Sequence, residues 1–155
     1  MKKAVLALSM LVSIAYGQKD SKWGFKVGLV SPLPTDIRTD SRVIFRSVLG
    51  EISNKLSTKM DLTLTGGYLM FDYINNQTFQ NIVAAPGLRY NTDKAYFGVN
   101  VGPSWFSENI DDYATIWSPY VGVKSKHISV DLRYFNWRKT TNEGNCLGLV
   151  FSYIL

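Results

Sequence analysis

From residue 22 to 30 the chain reads KWGFKVGLV, with Trp23, Phe25, Val27 and Leu29 alternating with Gly24, Lys26 and Gly28. In an extended strand successive side chains point to opposite faces, so this stretch has one large apolar face and one small or polar face. The same period of two predicts further strands at 43–53, 59–71, 80–90, 95–106, 115–124, 128–136 and 146–155, eight in all. Helical spacing never persists. The linkers come in two kinds: NKLST, NTDK and SKH are short, whereas SPLPTDIRTDSR, DYINNQTFQ, SENIDDYA and NWRKTTNEGN are long and polar. Short and long alternate strictly, as they must when each strand returns antiparallel beside the last and the two ends of the sheet face different surroundings.

Which face is inside follows from room. Eight strands closed on themselves leave an interior just wide enough to be filled by side chains. On 95–106 one face holds Phe97, Val99, Val101 and Trp105, and the other holds Gly98, Asn100, Gly102 and Ser104. A soluble barrel would turn the bulky set inward and present glycine and serine outside, so we expect the small face inside and the bulky face in lipid. The predicted fold is all-β, an eight-stranded antiparallel up-and-down transmembrane β-barrel, its strands close to the nine to eleven residues that span a bilayer. Such a wall should be aliphatic at mid-depth and aromatic at both interfaces. Trp23, Tyr90 and Tyr153 fall near the short-turn interface, and Tyr68, Trp105, Trp117 and Tyr134 near the other. Val27, Leu62, Leu64, Val99, Val101, Val121, Val130, Leu132 and Leu149 lie between.

The last residues, GLVFSYIL, put Leu149, Phe151, Tyr153 and Leu155 on one face. A frayed tail has no use for such a face, so this is expected to be the strand that pairs with the first and closes the barrel. Two features resist. Pro86, Pro103 and Pro119 fall inside strands, where each removes a ladder hydrogen bond. On 43–53, either Phe45 and Leu49 or Ile44, Val48 and Ile52 face lipid. The second set is preferred because it turns Glu51 inward, although it sends Arg46 to the outer rim.

Residues 1–17, MKKAVLALSMLVSIAYG, pair two lysines with an apolar run and small residues at Ala15 and Gly17, which reads as a cleavable signal peptide ahead of a barrel at 18–155. The run is too short to cross a bilayer as a helix. Loss of Lys2 and Lys3 lowers the basic count from 17 to 15 against 12 acids, a net charge of about +3, too mild for nucleic-acid binding. Cys146 is the single cysteine, so no internal disulfide forms. A mean hydropathy of −0.03, with no long apolar run after residue 17, excludes a helical membrane protein.

The inward set carries charge. Lys26, Arg89, Lys124 and Arg133 face the same lumen as Glu51, Asp61 and Asp131, which predicts an ion-pair network that plugs the barrel, since isolated charges in so narrow a tube are costly.

Taken together, the leader, eight amphipathic strands, loop alternation and apolar last strand resemble the small OmpA/OmpX-type outer-membrane barrels. The phrases LTLTGGYLMF and VAAPGLRYNTDKAYFGVNVG are similar to the outer-membrane β-barrel domain family of Bacteroidota. The resemblance implies a bacterial outer-membrane location with both termini periplasmic, contact with membrane lipid and lipopolysaccharide, and delivery by the barrel-assembly machinery through the last strand. In that family the last strand usually ends in Phe, and here it ends in Leu155.

Catalysis finds little support. His127, Ser129 and Glu143 resemble the residue types of the lipid A deacylases, small barrels that use His, Ser and an acidic residue for acyl transfer. In that family His and Ser lie toward the outer end of the seventh strand, whereas His127 here belongs to the short turn before it. One histidine and one cysteine do not make a typical zinc site, and the glycines at Gly66 and Gly98 precede no helix and cradle no phosphate. Asp111 and Asp112 are read as solvated loop residues. No catalytic, metal or cofactor-binding residue is therefore expected. The reading is a non-enzymatic envelope barrel in which Tyr73, Ile74, Phe79, Ile110 and Tyr113 of the outer loops meet a protein partner, with a narrow passive pore and a lipid A-modifying enzyme as the alternatives.

Overall fold

The computed structural model describes residues 22–33, 47–72, 78–106, 109–138 and 143–155. Eight strands run in order: β1 Trp23–Pro32, β2 Ser47–Lys55, β3 Met60–Asp72, β4 Thr78–Asn91, β5 Ala95–Phe106, β6 Asn109–Lys124, β7 Ile128–Arg138 and β8 Glu143–Ile154. Each pairs antiparallel with the next, and β8 returns to β1, closing the barrel in chain order. Leu155 takes part in the closure, its N–H donating to the Phe25 carbonyl at 3.0 Å. No helix occurs among the described residues. The expected leader at 1–17, and with it Ile44, Phe45, Arg46, Tyr73 and Ile74, lies outside the described residues.

One end of the barrel is rimmed by three tight turns, at 56–59, 92–94 and 125–127. Thr92 shows why so few residues suffice. Its N–H donates to the Ala95 carbonyl at 2.8 Å, and its hydroxyl accepts from the Ala95 N–H at 3.0 Å, so the side chain replaces ladder bonds that the turn cannot make.

Alternation decides the faces. Leu62, Leu64, Ile82, Leu88, Val99, Val101, Val121 and Leu132 are exposed on the outer wall, while Thr63, Thr65, Ala85, Asn100, Asp131 and Arg133 are buried within. On β2 the wall takes Val48, with Leu49 and Glu51 inside. Two expectations need correction. The interior is not lined by small residues alone, since Leu69, Tyr96, Ile116, Tyr120, Phe135 and Trp137 are all buried in it. Glycines make the room: Tyr96 sits across from Gly122 and Tyr120 from Gly98. A Cβ on Gly98 would lie 2.6 Å from the Tyr120 hydroxyl oxygen, and one on Gly122 2.6 Å from Tyr96 Cζ.

The strands also run further into the long-loop end than expected. β6 starts at Asn109 instead of 115, β7 reaches Arg138 and β8 starts at Glu143, so most of SENIDDYA and parts of NWRKTTNEGN are strand. Beyond the apolar belt both faces meet water, so backbone pairing continues without an apolar–polar period to betray it. The register slips there, from Trp105↔Tyr113 to Phe106↔Asn109, a bulge that places the extra residues 110–112 on β6.

The three prolines are accommodated one-sidedly. Pro86 pairs with Leu64 in an unbroken β3–β4 ladder, and Pro103 with Thr115 and Pro119 with Val99 in the stretch of the β5–β6 ladder that runs unbroken from Ala95↔Val123 to Trp105↔Tyr113. On their other sides the pairing lapses, between Val83↔Ser104 and Gly87↔Asn100 on the β4–β5 seam, and between Trp117↔Asn136 and Tyr120↔Arg133 on the β6–β7 seam. Each proline turns its missing donor toward a seam.

Candidate functional site: the charged lumen

The inward face divides along its length. Toward the long-loop end, Val30, Leu49, Leu69, Val83, Ile116, Phe135, Trp137 and Val150 form an apolar cluster. Toward the short-turn end the lumen is ionic, and its centre is Glu51. The Glu51 carboxylate meets Lys26 Nζ at 3.4 Å, Arg133 Nη2 at 3.6 Å and the Arg89 guanidinium, and accepts from the Thr65 hydroxyl at 3.3 Å. Asp131, fully buried on β7, takes Arg133 Nε at 3.0 Å, Lys26 Nζ at 3.4 Å and the Tyr96 hydroxyl at 2.9 Å. Asp61 takes Arg89 Nη2 at 2.7 Å and the Asn91 amide at 2.8 Å.

Register makes these meetings unavoidable. Lys26 stands directly opposite Glu51 on β1 and β2, and Asp61 opposite Arg89 on β3 and β4. Arg133 is two residues from Asp131 on the same face of β7, and their side chains meet across the tube with those of β1 and β2. Tyr96 and Tyr120 complete the shell. Lys26 Nζ lies 5.0 Å from the Tyr96 ring centroid, and the Arg133 guanidinium carbon 4.1 Å from that of Tyr120. Each ring thus offers a negative face to a buried cation. Three acids and three bases share this cluster, so the buried charge closes to zero.

Lys124 stands apart. It caps β6 at the mouth and donates to the Asn91 side-chain oxygen at 2.8 Å, reaching Asp61 only through that amide. The two tyrosines were not singled out by alternation, yet a signal exists. Tyr96 and Gly98, like Tyr120 and Gly122, are inward residues two apart, and antiparallel pairing sets each tyrosine across from a glycine.

All seven interface aromatics lie on the outward set. Trp23 and Tyr153 are about half exposed near the short-turn end, and Tyr90 leans on Phe97 at 5.2 Å between centroids, bringing a fourth aromatic into that ring. At the other end Tyr68 donates its hydroxyl to Gln80 at 2.6 Å, and Trp105 is the last residue but one of β5. Trp117 lies in the middle of the extended β6, edge-on to Tyr134 at 5.8 Å and donating its indole N–H to Asn136 at 2.7 Å. The last strand presents Leu149, Phe151, Tyr153 and Leu155 outward, with Val150 and Ser152 buried.

His127 and Glu143 are far apart. His127 is exposed in the turn before β7 and stacks on Tyr153, while Glu143 opens β8 opposite Arg138, at the other end of the same hairpin. Ten strand residues separate those ends, roughly 33 Å at about 3.3 Å per residue. Ser129 is buried at the start of β7. Among the described residues no group of His, Cys, Asp and Glu is arranged to hold a metal ion.

A closed eight-stranded antiparallel barrel, apolar outside and ionic within, belongs architecturally with the small transmembrane β-barrels. Solved structures of that kind match it. The outer-membrane protein Ail of Yersinia pestis in a phospholipid nanodisc aligns with a TM-score of 0.63 at 7% identity, over 88% of this chain and 100% of that one. The crystal structure of Ail, the attachment invasion locus protein, gives 0.54 at 8% identity over 87% and 99%. A de novo designed transmembrane β-barrel gives 0.52 at 13% identity over 85% and 95%. At such identities the likeness is one of fold. No protein-family model and no curated protein matches the sequence.

Proposed function

We propose that this chain is a small non-enzymatic barrel of the bacterial outer membrane, serving as a structural or interaction component of the envelope. Its short turns and both termini face the periplasm, and its lumen is plugged. The observation that carries this reading is the buried cluster of Lys26, Arg89 and Arg133 with Glu51, Asp61 and Asp131, which lies in series with the apolar cluster around Phe135 and Trp137. A solute following the axis would have to part both, and separating buried partners of this kind costs several kcal/mol. The outer wall supports contact with membrane lipid and lipopolysaccharide, and the last strand supports recognition by the barrel-assembly machinery.

The interaction role falls to the long-loop end. There Tyr113 is two-thirds exposed at the base of the β5–β6 extension, and the backbones of Phe79 and Ile110 belong to strands that rise beyond the apolar belt. An envelope protein is the partner proposed for that surface. The name of the Yersinia pestis barrel, attachment invasion locus protein, offers a precedent of the same class. The separation of His127 from Glu143 disfavours a deacylase, because nucleophile and base must come within hydrogen-bond reach.

The test pairs two measurements on the purified chain. In planar bilayers it should give no steady conductance, and cross-linking in cells followed by mild detergent should recover a defined envelope protein that is lost when residues 110–113 are replaced by glycine and serine. A stable, well-resolved channel would make the passive pore the leading reading. Altered lipid A acylation in cells expressing the chain would make it an enzyme.

A further inference from the structure

Beneath the ionic cluster, at the short-turn end, the barrel opens into a concave mouth of about 280 Å³. Lys22 on the approach to β1, Lys55 at the end of β2 and Lys124 at the end of β6 line it, with Arg89 and Lys26 forming its floor. The acids that reach this mouth, Glu51 and Asp61, are already engaged by Lys26, Arg89 and Arg133. No carboxylate among the described residues stands within ion-pairing distance of Lys22, Lys55 or Lys124. Lys124 is held by a neutral amide, and in the field around it Arg89, Lys55 and Lys26 outnumber Asp61, which is itself bound to Arg89. The neighbouring turns deepen the potential, since Lys59, Lys94 and Lys126 are exposed there and outnumber the exposed Asp93. Three lysines around the rim of a hollow with low-dielectric walls focus a positive field into it.

We propose that this mouth binds a phosphate-bearing anion, held by Lys22, Lys55 and Lys124. The chemistry favours phosphate over a simple carboxylate. The forked guanidinium groups of Arg89 and Arg133, which would grip a planar carboxylate at two points, are committed to Glu51, Asp61 and Asp131. What remains are lysines, compact charges on long flexible stems that can close around a multiply charged tetrahedral group from several sides. Bound there, the anion would neutralise the one part of the lumen whose charges do not cancel. The site draws on the proposed membrane orientation only for the compartment that supplies the anion, which would be the periplasm or the inner leaflet; the binding itself is independent of it.

The experiment uses the folded chain in nanodiscs of zwitterionic phosphatidylcholine, titrated with inorganic pyrophosphate and followed by calorimetry and by amide shifts in NMR spectra. Saturable binding of one pyrophosphate per barrel is expected, with shifts centred on Trp23, Lys55 and Lys124. The pair Lys55→Gln and Lys124→Gln should weaken it by about ten-fold or more, whereas Lys59→Gln with Lys126→Gln, which removes the same charge from the turns, should change it by less than about two-fold. Gel mobility of unboiled samples verifies that each variant is folded. A second arm adds anionic phosphatidylglycerol to the nanodiscs. If that lipid shifts the same amides and suppresses pyrophosphate binding, the site takes its phosphate from headgroups; if pyrophosphate binding is unaltered, it takes a soluble anion. Absence of saturable binding, or equal weakening by the two double variants, would overturn the site and leave the reading of a plugged envelope barrel untouched.

Discussion

Asp131 is the residue on which the buried charge turns. It is fully enclosed, and takes ion pairs from Arg133 and Lys26 and a hydrogen bond from Tyr96. Asp131→Ala leaves two cations sharing the remaining carboxylates, and breaking a buried pair from one side typically costs about 3–5 kcal/mol. Urea unfolding in detergent micelles should register a loss of that order, and a loss below about 1 kcal/mol would mean that water already screens the cluster. On the opposite face depth sets the scale. Val99→Arg should cost about 2–4 kcal/mol, and Trp105→Arg markedly less, because a charge near the interface keeps part of its hydration. Equal penalties would refute the assigned depths. The charged partners were legible in the sequence because a charged residue on the small face of a strand has only the lumen to enter. Tyr96, Tyr120, Phe135 and Trp137 were harder. Phe135 and Trp137 alternate with Tyr134 and Asn136, so aromatic residues occupy both faces and the period of two carries no sign there.

At the scale of elements, the closing seam is the most exposed to error. β8 meets β1 through seven paired positions, from Lys26↔Ile154 to Pro32↔Gly148, and residues 151–154 supply four of them. Removing 151–155 leaves the backbone groups of Val27 and Leu29, the residues of this stretch that point toward β8, facing hydrocarbon, where each unsatisfied group costs several kcal/mol. The truncated chain should therefore fail to insert and should accumulate as aggregate, as fractionation of expressing cells would reveal. Insertion at full yield would mean that β1 finds another partner. Strand identity was readable because lipid and lumen impose opposite demands on neighbouring residues. Strand ends at the long-loop side were not: Asn109, Tyr113 and Ala114 pair with β5 around the bulge, where water faces both sides of the sheet and polarity no longer reports direction.

As a whole, the molecule is one closed ladder, and each strand depends on both neighbours. Opening it should be cooperative, so unboiled and boiled samples should migrate as two separate bands on a denaturing gel, with no ladder of intermediates between them. A single band at all temperatures, or recovery of the chain in the soluble periplasmic fraction, would contradict a membrane barrel. Within that cooperativity the wall is uneven. Pro86 and Pro103 interrupt one border of the β5–β6 hairpin and Pro119 interrupts the other, whereas the six strands from β7 through β8 and β1 to β4 carry no strand-interior proline on the borders between them. The hairpin is thus a shutter set in a continuous frame. When the barrel breathes, deuterium should enter first along the two hinge lines of that shutter, while the join between the first and last strands stays shut.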